Sequence, residues 1–213
     1  MKKSICLILA LVMAVSLLAC GAKKPTAEDA TKYVQAVLDG LCTGEHDPSV
    51  TFSDVDDIAT LRNESVDAVV DSFQDQGIVL EDETLAVLKS VFLDAFSKCK
   101  YEVTGATAVD GGFDVDVSVS PLRMYDGVDM DEVQTVATEQ LMEELEDISQ
   151  LTEEEAVDRV VRVMFQMIGE HLAEPTYGDP VTVTVRYCEL EENTYGVSEE
   201  DGVALGQVLF SAN

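Results

Sequence analysis

Side chains that could carry out chemistry are few in this sequence, and their spacing matches no catalytic motif. The 213 residues include two histidines, His46 and His171. No His-x-x-x-His pair, Gly-x-Ser-x-Gly elbow or glycine-rich phosphate loop is present. We interpret His46 as a loop residue and His171 as a cap on the carbonyl groups that end an apolar helix. The sequence therefore assigns no catalytic residue and no cofactor, and it disfavours a hydrolase or a transferase.

The densest group of acidic residues runs from Asp126 to Glu132 and includes Asp129 and Asp131. Carboxylate oxygens are the ligands that a calcium ion prefers. However, the run lacks the twelve-residue spacing and the bidentate terminal glutamate of an EF-hand. The helix dipole stabilises acidic residues in the first turn of a helix, which explains the same pattern without a metal. We favour a helix start, predict no metal site, and leave weak calcium binding at 126–132 open.

Three cysteines, Cys42, Cys99 and Cys188, follow the N-terminal segment. An odd number cannot pair completely within one chain. No Cys-x-x-Cys motif or other closely spaced pair is present, so neither a zinc site nor a redox motif is predicted. Cys42 and Cys99 each fall at the end of a predicted helix, and we interpret both as small buried apolar residues. Whether these two cysteines pair depends on the tertiary structure.

The N-terminus has the organisation of an export signal. Lys2 and Lys3 precede an apolar run over residues 5–19 that is broken only by Cys6 and Ser16. As a helix this run would be about 22 Å long, which is short of the roughly 30 Å hydrocarbon core of a membrane. We therefore predict that residues 1–19 are a signal helix that is removed, and not a permanent membrane span.

The run Leu17-Leu18-Ala19-Cys20-Gly21 resembles the lipobox of bacterial lipoproteins. In those proteins the cysteine sulfur receives a diacylglyceryl group and the chain is cut just before it. The sequence departs from the commonest pattern at Leu18, where a smaller residue is usual. The resemblance implies that Cys20 is the lipidated, palmitate-bearing first residue of the mature protein. Two or more acyl chains, at about 0.8 kcal/mol per buried CH₂, would hold it on the extracytoplasmic face of the cell membrane.

The net charge of −29 comes from 42 acidic and 13 basic residues. A surface this acidic excludes nucleic-acid binding through a basic patch. Removal of residues 1–19 takes away two lysines and no acid, so the mature chain is more acidic still. Lys23 and Lys24 follow the predicted anchor, where anionic head groups attract them. The acidic body beyond them is predicted to be repelled from the membrane and soluble.

Hydrophobic periodicity predicts three helices in the first half of the chain. Thr26 with Asp29 forms an approximate capping box, and the helix that follows ends near Gly44. A second helix is predicted around 61–77 and a third over 82–98. The period then changes from 3.6 to 2, so residues 101–109 and 112–120 predict a β-hairpin around Asp110-Gly111. Its core face carries Phe113, Val115, Val117 and Val119, and its solvent face carries Asp114 and Asp116.

The second half of the chain repeats the same mixture of helix and strand. A fourth helix is predicted over 133–148, and Thr152 with Glu155 caps a fifth that is apolar over a wide arc. Met164 and Met167 are interpreted as core residues of this helix. Residues 181–187 and 195–197 predict two more strands, and a last helix starts at Ser198. The predicted fold is α+β: helices packed on one face of a small curved antiparallel sheet, in a single domain over 26–213.

Several segments together resemble a family of small Gram-positive lipoproteins that carry a domain of unknown function. They are the lipobox, the first helix with YVQAVLDG at 33–40, the helix-to-strand turn KYEV at 100–103, and the strand end VSVSP at 117–121. This resemblance implies a cystatin-like or nuclear-transport-factor-like fold, in which helices cover a curved sheet. It implies no catalytic residue.

These observations favour a lipid-anchored, non-catalytic binding or envelope-interaction module. The predicted tether covers residues 20–25, Cys20 contacts the membrane lipid, and the partner is an unknown protein or small molecule. One alternative is a hydrolase-like enzyme with a pocket between the helices and the sheet, which would require converging buried carboxylates. Another is the solute-binding component of an importer, although two-lobed receptors of that kind need a longer chain.

Overall fold

The computed structural model describes residues 16–18, 24–52, 58–144, 151–191 and 193–210. Within these ranges the chain forms six helices and five strands. The helices are α1 (Ala27–Thr43), α2 (Ile58–Asp75), α3 (Asp82–Ser97), α4 (Met130–Glu144), α5 (Glu153–His171) and α6 (Glu199–Leu209). The strands are β1 (Ser16–Leu18), β2 (Lys100–Val109), β3 (Gly112–Ser120), β4 (Val181–Glu191) and β5 (Thr194–Val197).

The strands form one antiparallel sheet in the order β1-β5-β4-β3-β2. In the β2–β3 hairpin, Tyr101 lies opposite Val119. The turn between the two strands contains Gly111 with φ 78°, a left-handed value that glycine adopts without steric cost. This arrangement confirms the hairpin predicted between residues 101–109 and 112–120.

The two faces of β3 differ in exposure. Val115, Val117 and Val119 are fully buried, whereas Asp114 and Asp116 are half-buried on the opposite face. The buried face shares one hydrophobic core with residues of α1, α2, α3, α5 and α6. The structure thus confirms an α+β fold with helices packed on one face of a curved antiparallel sheet.

The first strand lies inside the predicted export segment. β1 pairs antiparallel with β5, with Ser16 opposite Gly196 and Leu18 opposite Thr194. The sequence predicts a helix across this stretch, but these three residues are extended instead. The physical reason is that β5 has an unpaired edge, and β1 satisfies its backbone N–H and C=O groups. In a chain cut before Cys20, β5 would become an edge strand.

Local hydrogen bonds define the ends of the two capped helices. Thr26 Oγ1 accepts the N–H of Asp29 at 3.3 Å, and the Thr26 N–H donates to the Asp29 carboxylate at 2.8 Å. Thr152 and Glu155 form the same reciprocal pair before α5. Gly44 ends α1 with φ 79°, a left-handed conformation typical of a helix C-terminus. Both predicted capping boxes and the predicted end of the first helix are confirmed.

Aromatic rings join the helices above the sheet. The ring centroid of Phe165 in α5 lies 5.4 Å from that of Phe92 in α3 and 6.0 Å from that of Phe73 in α2. Phe96 of α3 meets Phe210 edge-on at 5.2 Å. Such pairs contribute about 0.5–1.5 kcal/mol each beyond the area they bury. Helices α2, α3 and α5 therefore share one aromatic centre.

Helix α4 packs on α5 through a smaller cluster. Val133 and Ala137 of α4 are buried against Val163 of α5. Met164 and Met167 pack against the same cluster from α5, which confirms their interpretation as core residues.

The difference between the two faces of β3 predicts a difference in mutational sensitivity. Val117→Ala should lower the free energy of unfolding by about 1–3 kcal/mol, because it removes apolar area from the core. Asp116→Asn is the matched control, since it keeps an oxygen acceptor for the Thr184 hydroxyl 2.6 Å away. We expect it to cost no more than about 0.5 kcal/mol. Urea denaturation monitored by circular dichroism measures the free energy of unfolding of both variants. Equal losses of stability in the two variants would contradict the assigned faces of β3.

Candidate functional site: the anchor and two polar clusters

The predicted attachment residue, Cys20, lies outside the residues that the structure describes. The described chain resumes at Lys24, and α1 begins at Ala27, seven residues after Cys20. Seven extended residues reach at most roughly 25 Å, so a lipid on Cys20 would keep α1 close to the membrane surface. Among the described residues, no helix is both long enough and apolar enough to cross a membrane.

The acidic run at 126–132 forms a turn and then the start of α4. Asp129 Oδ1 accepts the backbone N–H of Asp131 at 2.9 Å, as the side chain before a helix commonly does. Asp131 and Glu132 occupy the first turn of α4, which confirms the interpretation as a helix start. Within the described part of the chain, no three carboxylate, histidine or cysteine side chains converge as a metal ion would require.

Both histidines make local contacts. His46 Nε2 lies 3.0 Å from the carbonyl oxygen of Val50, and its ring packs against Phe52 with centroids 5.2 Å apart. His171 is the last residue of α5, as predicted for a residue near a helix end, and its Nε2 lies 3.4 Å from the Thr176 hydroxyl. Each ring therefore stabilises the loop that follows its helix.

A buried network of charged side chains joins α3 to α5. Arg162 and Asp158, one turn apart on α5, are only 6% and 3% exposed, and their charged groups are 2.9 Å apart. Arg162 Nε donates to the Thr84 hydroxyl at 2.8 Å, and that hydroxyl donates to Asp158 Oδ2 at 2.8 Å. The other guanidinium nitrogens donate to the carboxylates of Glu81 at 3.1 Å and Glu83 at 2.7 Å. Three residues of α3 and its approach thus surround one arginine together with Asp158.

Asp158 also caps α3. Glu81 immediately precedes this helix and makes no side-chain capping hydrogen bond of its own. Instead, its backbone N–H donates to Asp158 Oδ1 at 2.8 Å. A carboxylate at a helix N-terminus also interacts favourably with the helix dipole. The network therefore fixes the start of α3 against the middle of α5.

Sequence reasoning missed this network. The prediction treats α5 as an apolar helix, whereas its buried side includes Asp158 and Arg162. The available signal was the spacing of the two opposite charges, four residues apart and on the same side as Phe165. Their partners on α3 precede them by 74 to 81 residues, however, and no motif spacing reveals a contact at that separation.

A second cluster holds the end of α1 against the start of β2. The Tyr101 hydroxyl donates to Asp39 Oδ1 at 2.7 Å, and Gln35 Nε2 donates to the same oxygen at 2.7 Å. About one turn beyond Asp39, the Cys42 side chain neighbours the thiol of Cys99. Cys42 is buried and Cys99 is half-buried, in line with their interpretation as buried residues. Their proximity was not predicted from the sequence.

Burial and close neighbours both shift the acid–base properties of this cluster. Burial raises the pKa of Tyr101 well above the usual value, and the hydrogen bond to Asp39 adds to the shift. The neighbouring Cys42, together with burial, raises the pKa of Cys99. Both groups are therefore protonated at neutral pH. A protonated thiol is a poor nucleophile, so the cluster serves packing better than catalysis.

An open depression lies on the surface of α4. Its volume is about 520 Å³, and it is lined by Asp131, Gln134, Thr135, Thr138, Glu139 and Met142. These residues all belong to one helix and are exposed to solvent. Enzyme pockets bury most of the surface of their ligand. The depression therefore differs from the pocket between helices and sheet that the enzyme alternative requires.

The sequence matches no protein-family model and no curated protein. The fold is similar to that of a solved structure, a proposed lipoprotein of Bacillus subtilis called ycdA, with a TM-score of 0.59 and 14% sequence identity. The likeness covers 86% of this chain and 56% of the other, so this chain spans little more than half the length of that protein. At this identity the likeness shows the fold alone: an α+β body of helices on an antiparallel sheet.

The buried network predicts a large effect of removing one partner. Asp158→Ala should lower the free energy of unfolding by about 3–5 kcal/mol, because Arg162 would lose its buried counterion and keep only the exposed carboxylates of Glu81 and Glu83. Glu28→Ala is the control, since Glu28 pairs with Lys32 at the same four-residue spacing on α1 but both are well exposed. We expect that control to lose less than about 0.5 kcal/mol in urea denaturation.

The double variant Asp158→Leu with Arg162→Met should regain part of the lost stability, since the Glu81 N–H and the Thr84 hydroxyl would still lack the acceptor that Asp158 provides. Apolar residues of similar size need no counterion, and replacing a whole buried pair is often nearly neutral. If Asp158→Ala cost no more than Glu28→Ala, the network would not be holding α3 on α5.

Proposed function

We propose that this protein is a lipoprotein held on the extracytoplasmic face of the cell membrane by acyl chains on Cys20. The α+β body is a non-catalytic binding or envelope-interaction module. The observation that carries the anchor is the run Leu17-Leu18-Ala19-Cys20-Gly21 after a lysine-led apolar segment. The fold likeness to a proposed lipoprotein of Bacillus subtilis supports this proposal.

The internal polar clusters support binding over catalysis. In the α3–α5 network, the guanidinium of Arg162 is taken up by Thr84 and three carboxylates. In the α1–β2 cluster, the Tyr101 hydroxyl is taken up by Asp39. Groups paired in this way hold elements together and have little remaining capacity for a substrate. The partner of the body, a protein or a small molecule, would therefore contact its surface.

The charge distribution supports an orientation of the body. Lys23 and Lys24 follow the anchor and are attracted to anionic head groups. The remaining chain is strongly acidic, and the whole chain carries −29. Electrostatic repulsion would hold the body off the membrane within the reach of its tether. A partner recognised by charge would be cationic.

Lipidation is tested at Cys20. Cys20→Ala should abolish labelling by radioactive palmitate and remove the N-terminal peptide that begins at residue 20, because the acceptor sulfur is lost. In the wild type and the variant, autoradiography of the membrane fraction measures the label, and mass spectrometry measures the N-terminal peptide. Cys6→Ala is the matched control, since Cys6 lies in the same apolar segment but in the part that is cut off. We expect it to be labelled and processed like the wild type.

Two results would overturn the anchor. One is labelling of Cys20→Ala at the wild-type level with an unchanged N-terminal mass. The other is loss of label in Cys6→Ala while Cys20 is intact.

Binding and catalysis are distinguished by crosslinking and by turnover. On intact cells, crosslinking of the anchored protein to its partner should give one discrete product. An excess of the same protein without the crosslinking label should compete for the partner and remove that product. The purified lipoprotein should show no turnover of wall fragments, peptides, esters or glycans. Both assays are repeated with calcium and with a chelator, because dense carboxylates associate weakly with divalent cations. Saturable turnover that one carboxylate or histidine substitution abolishes, with an unchanged Tm, would overturn the binding proposal.

A further inference from the structure

Two cysteines that are far apart in the sequence meet where α1 contacts β2. Cys42 lies in the last turn of α1 and is 2% exposed. Cys99 lies between α3 and β2, where its thiol also donates to the carbonyl oxygen of Ala95 at 3.6 Å. The Cys42 side chain neighbours the Cys99 thiol closely enough to raise its pKa.

The backbone around the two thiols is held by an independent contact. The Tyr101 hydroxyl donates to Asp39 at 2.7 Å. Asp39 precedes Cys42 by about one turn of α1, and Cys99 lies two residues before Tyr101, just outside β2. The hydrogen bond between Asp39 and Tyr101 therefore holds the two segments that carry Cys42 and Cys99 side by side. The fold itself keeps the two cysteines close together.

We propose that Cys42 and Cys99 form a disulfide bond in the exported protein and so link the end of α1 covalently to the start of β2. The inference rests on the proposed extracytoplasmic location, because disulfides persist in that compartment. Cys188 is then the unpaired third cysteine. It lies on β4, opposite Gly112 of β3 and Gly196 of β5.

The bond forms by thiol–disulfide exchange with another disulfide, either that of an exchange enzyme or a small molecule such as oxidised glutathione. The thiolate of Cys42 or Cys99 attacks that disulfide, forms a mixed disulfide and releases one thiol. The second cysteine thiolate then attacks the sulfur of its partner and releases the other thiol. Two cysteine thiols lose two protons and two electrons, and the donor disulfide is reduced to two thiols.

Burial sets the time at which this exchange occurs. The thiolate is the attacking species, and few thiolates are present once the core has closed, because the neighbouring Cys42 and burial raise the pKa of Cys99. Exchange is therefore fast in the unfolded chain and slow in the folded one, and the buried bond resists reductants.

The loop that the disulfide bond closes contains α2 and α3. Closing a long loop reduces the entropy of the unfolded state and stabilises the fold.

Peptide mapping of the full-length exported protein tests the bond. Cells are quenched in acid, and free thiols are alkylated with N-ethylmaleimide in denaturant. Cleavage before aspartate gives peptides 39–46 and 94–109, each with one cysteine, and the mature N-terminal peptide 20–28. We expect 39–46 and 94–109 to be joined with the loss of two hydrogen atoms and Cys188 to be alkylated. Lipidated peptide 20–28 reports export in the same digest.

Alkylation of both Cys42 and Cys99, or a bond from either to Cys188, would overturn the disulfide. Whether peptide 20–28 carries the lipid decides the proposed location, separately from the disulfide. As a second measurement, wild-type protein that is reduced in denaturant and refolded in reductant, with reduction confirmed by alkylation, should have a Tm lower by on the order of 5–15 °C than the oxidised protein. Cys188→Ala should show the same drop, whereas the double variant Cys42→Ala with Cys99→Ala should not respond to the reductant. A Tm of the wild type that reduction leaves unchanged would also overturn the bond.

Discussion

The position of α3 over α5 depends on burying one arginine with its charge fully satisfied. Removing a guanidinium and a carboxylate from water costs several kcal/mol per ion, which is offset only when the surrounding hydrogen bonds are all made. Arg162 meets this condition through Asp158 and Thr84. The same aspartate caps α3, so the start of that helix and its packing are fixed together. Phe92 and Phe165, with centroids 5.4 Å apart, continue the α3–α5 contact into the core.

The body uses its internal polar groups for structure and keeps its external ones accessible. On the outer face of the sheet, Asp114 pairs with Arg186 at 2.9 Å, and Asp116 accepts the Thr184 hydroxyl at 2.6 Å. Half-exposed pairs of this kind contribute little to stability and can exchange their partners. This division suits a protein that acts by surface contact. The proposed lipid tether at Cys20 and the acidic body would together present that surface close to the membrane without lying on it.

Local interactions explain why much of the fold was predictable. Capping by Thr26 and Thr152 involves residues only three positions apart, and the turn at Gly111 involves neighbouring residues. The alternation along β3 assigns each side chain to a face because successive residues of a strand point in opposite directions. Helix and strand positions, the inner face of the hairpin and the α+β class follow from such short-range rules. The lipobox is likewise a contiguous run, so Cys20 was predicted without any structure.

The sequence by itself thus determined the helices and strands from α1 onward, the two faces of the hairpin, the acidic charge and the anchor prediction. Only the tertiary structure decided that Asp158 and Arg162 lie in a buried network and that Cys42 and Cys99 meet. Thr84 lies 74 residues before Asp158, and Cys42 lies in α1 whereas Cys99 lies between α3 and β2. Such contacts depend on how helices cross each other and the sheet, which is set by packing over the whole core. No local pattern encodes that geometry, because the same helix sequence could bury its charges against many different partners.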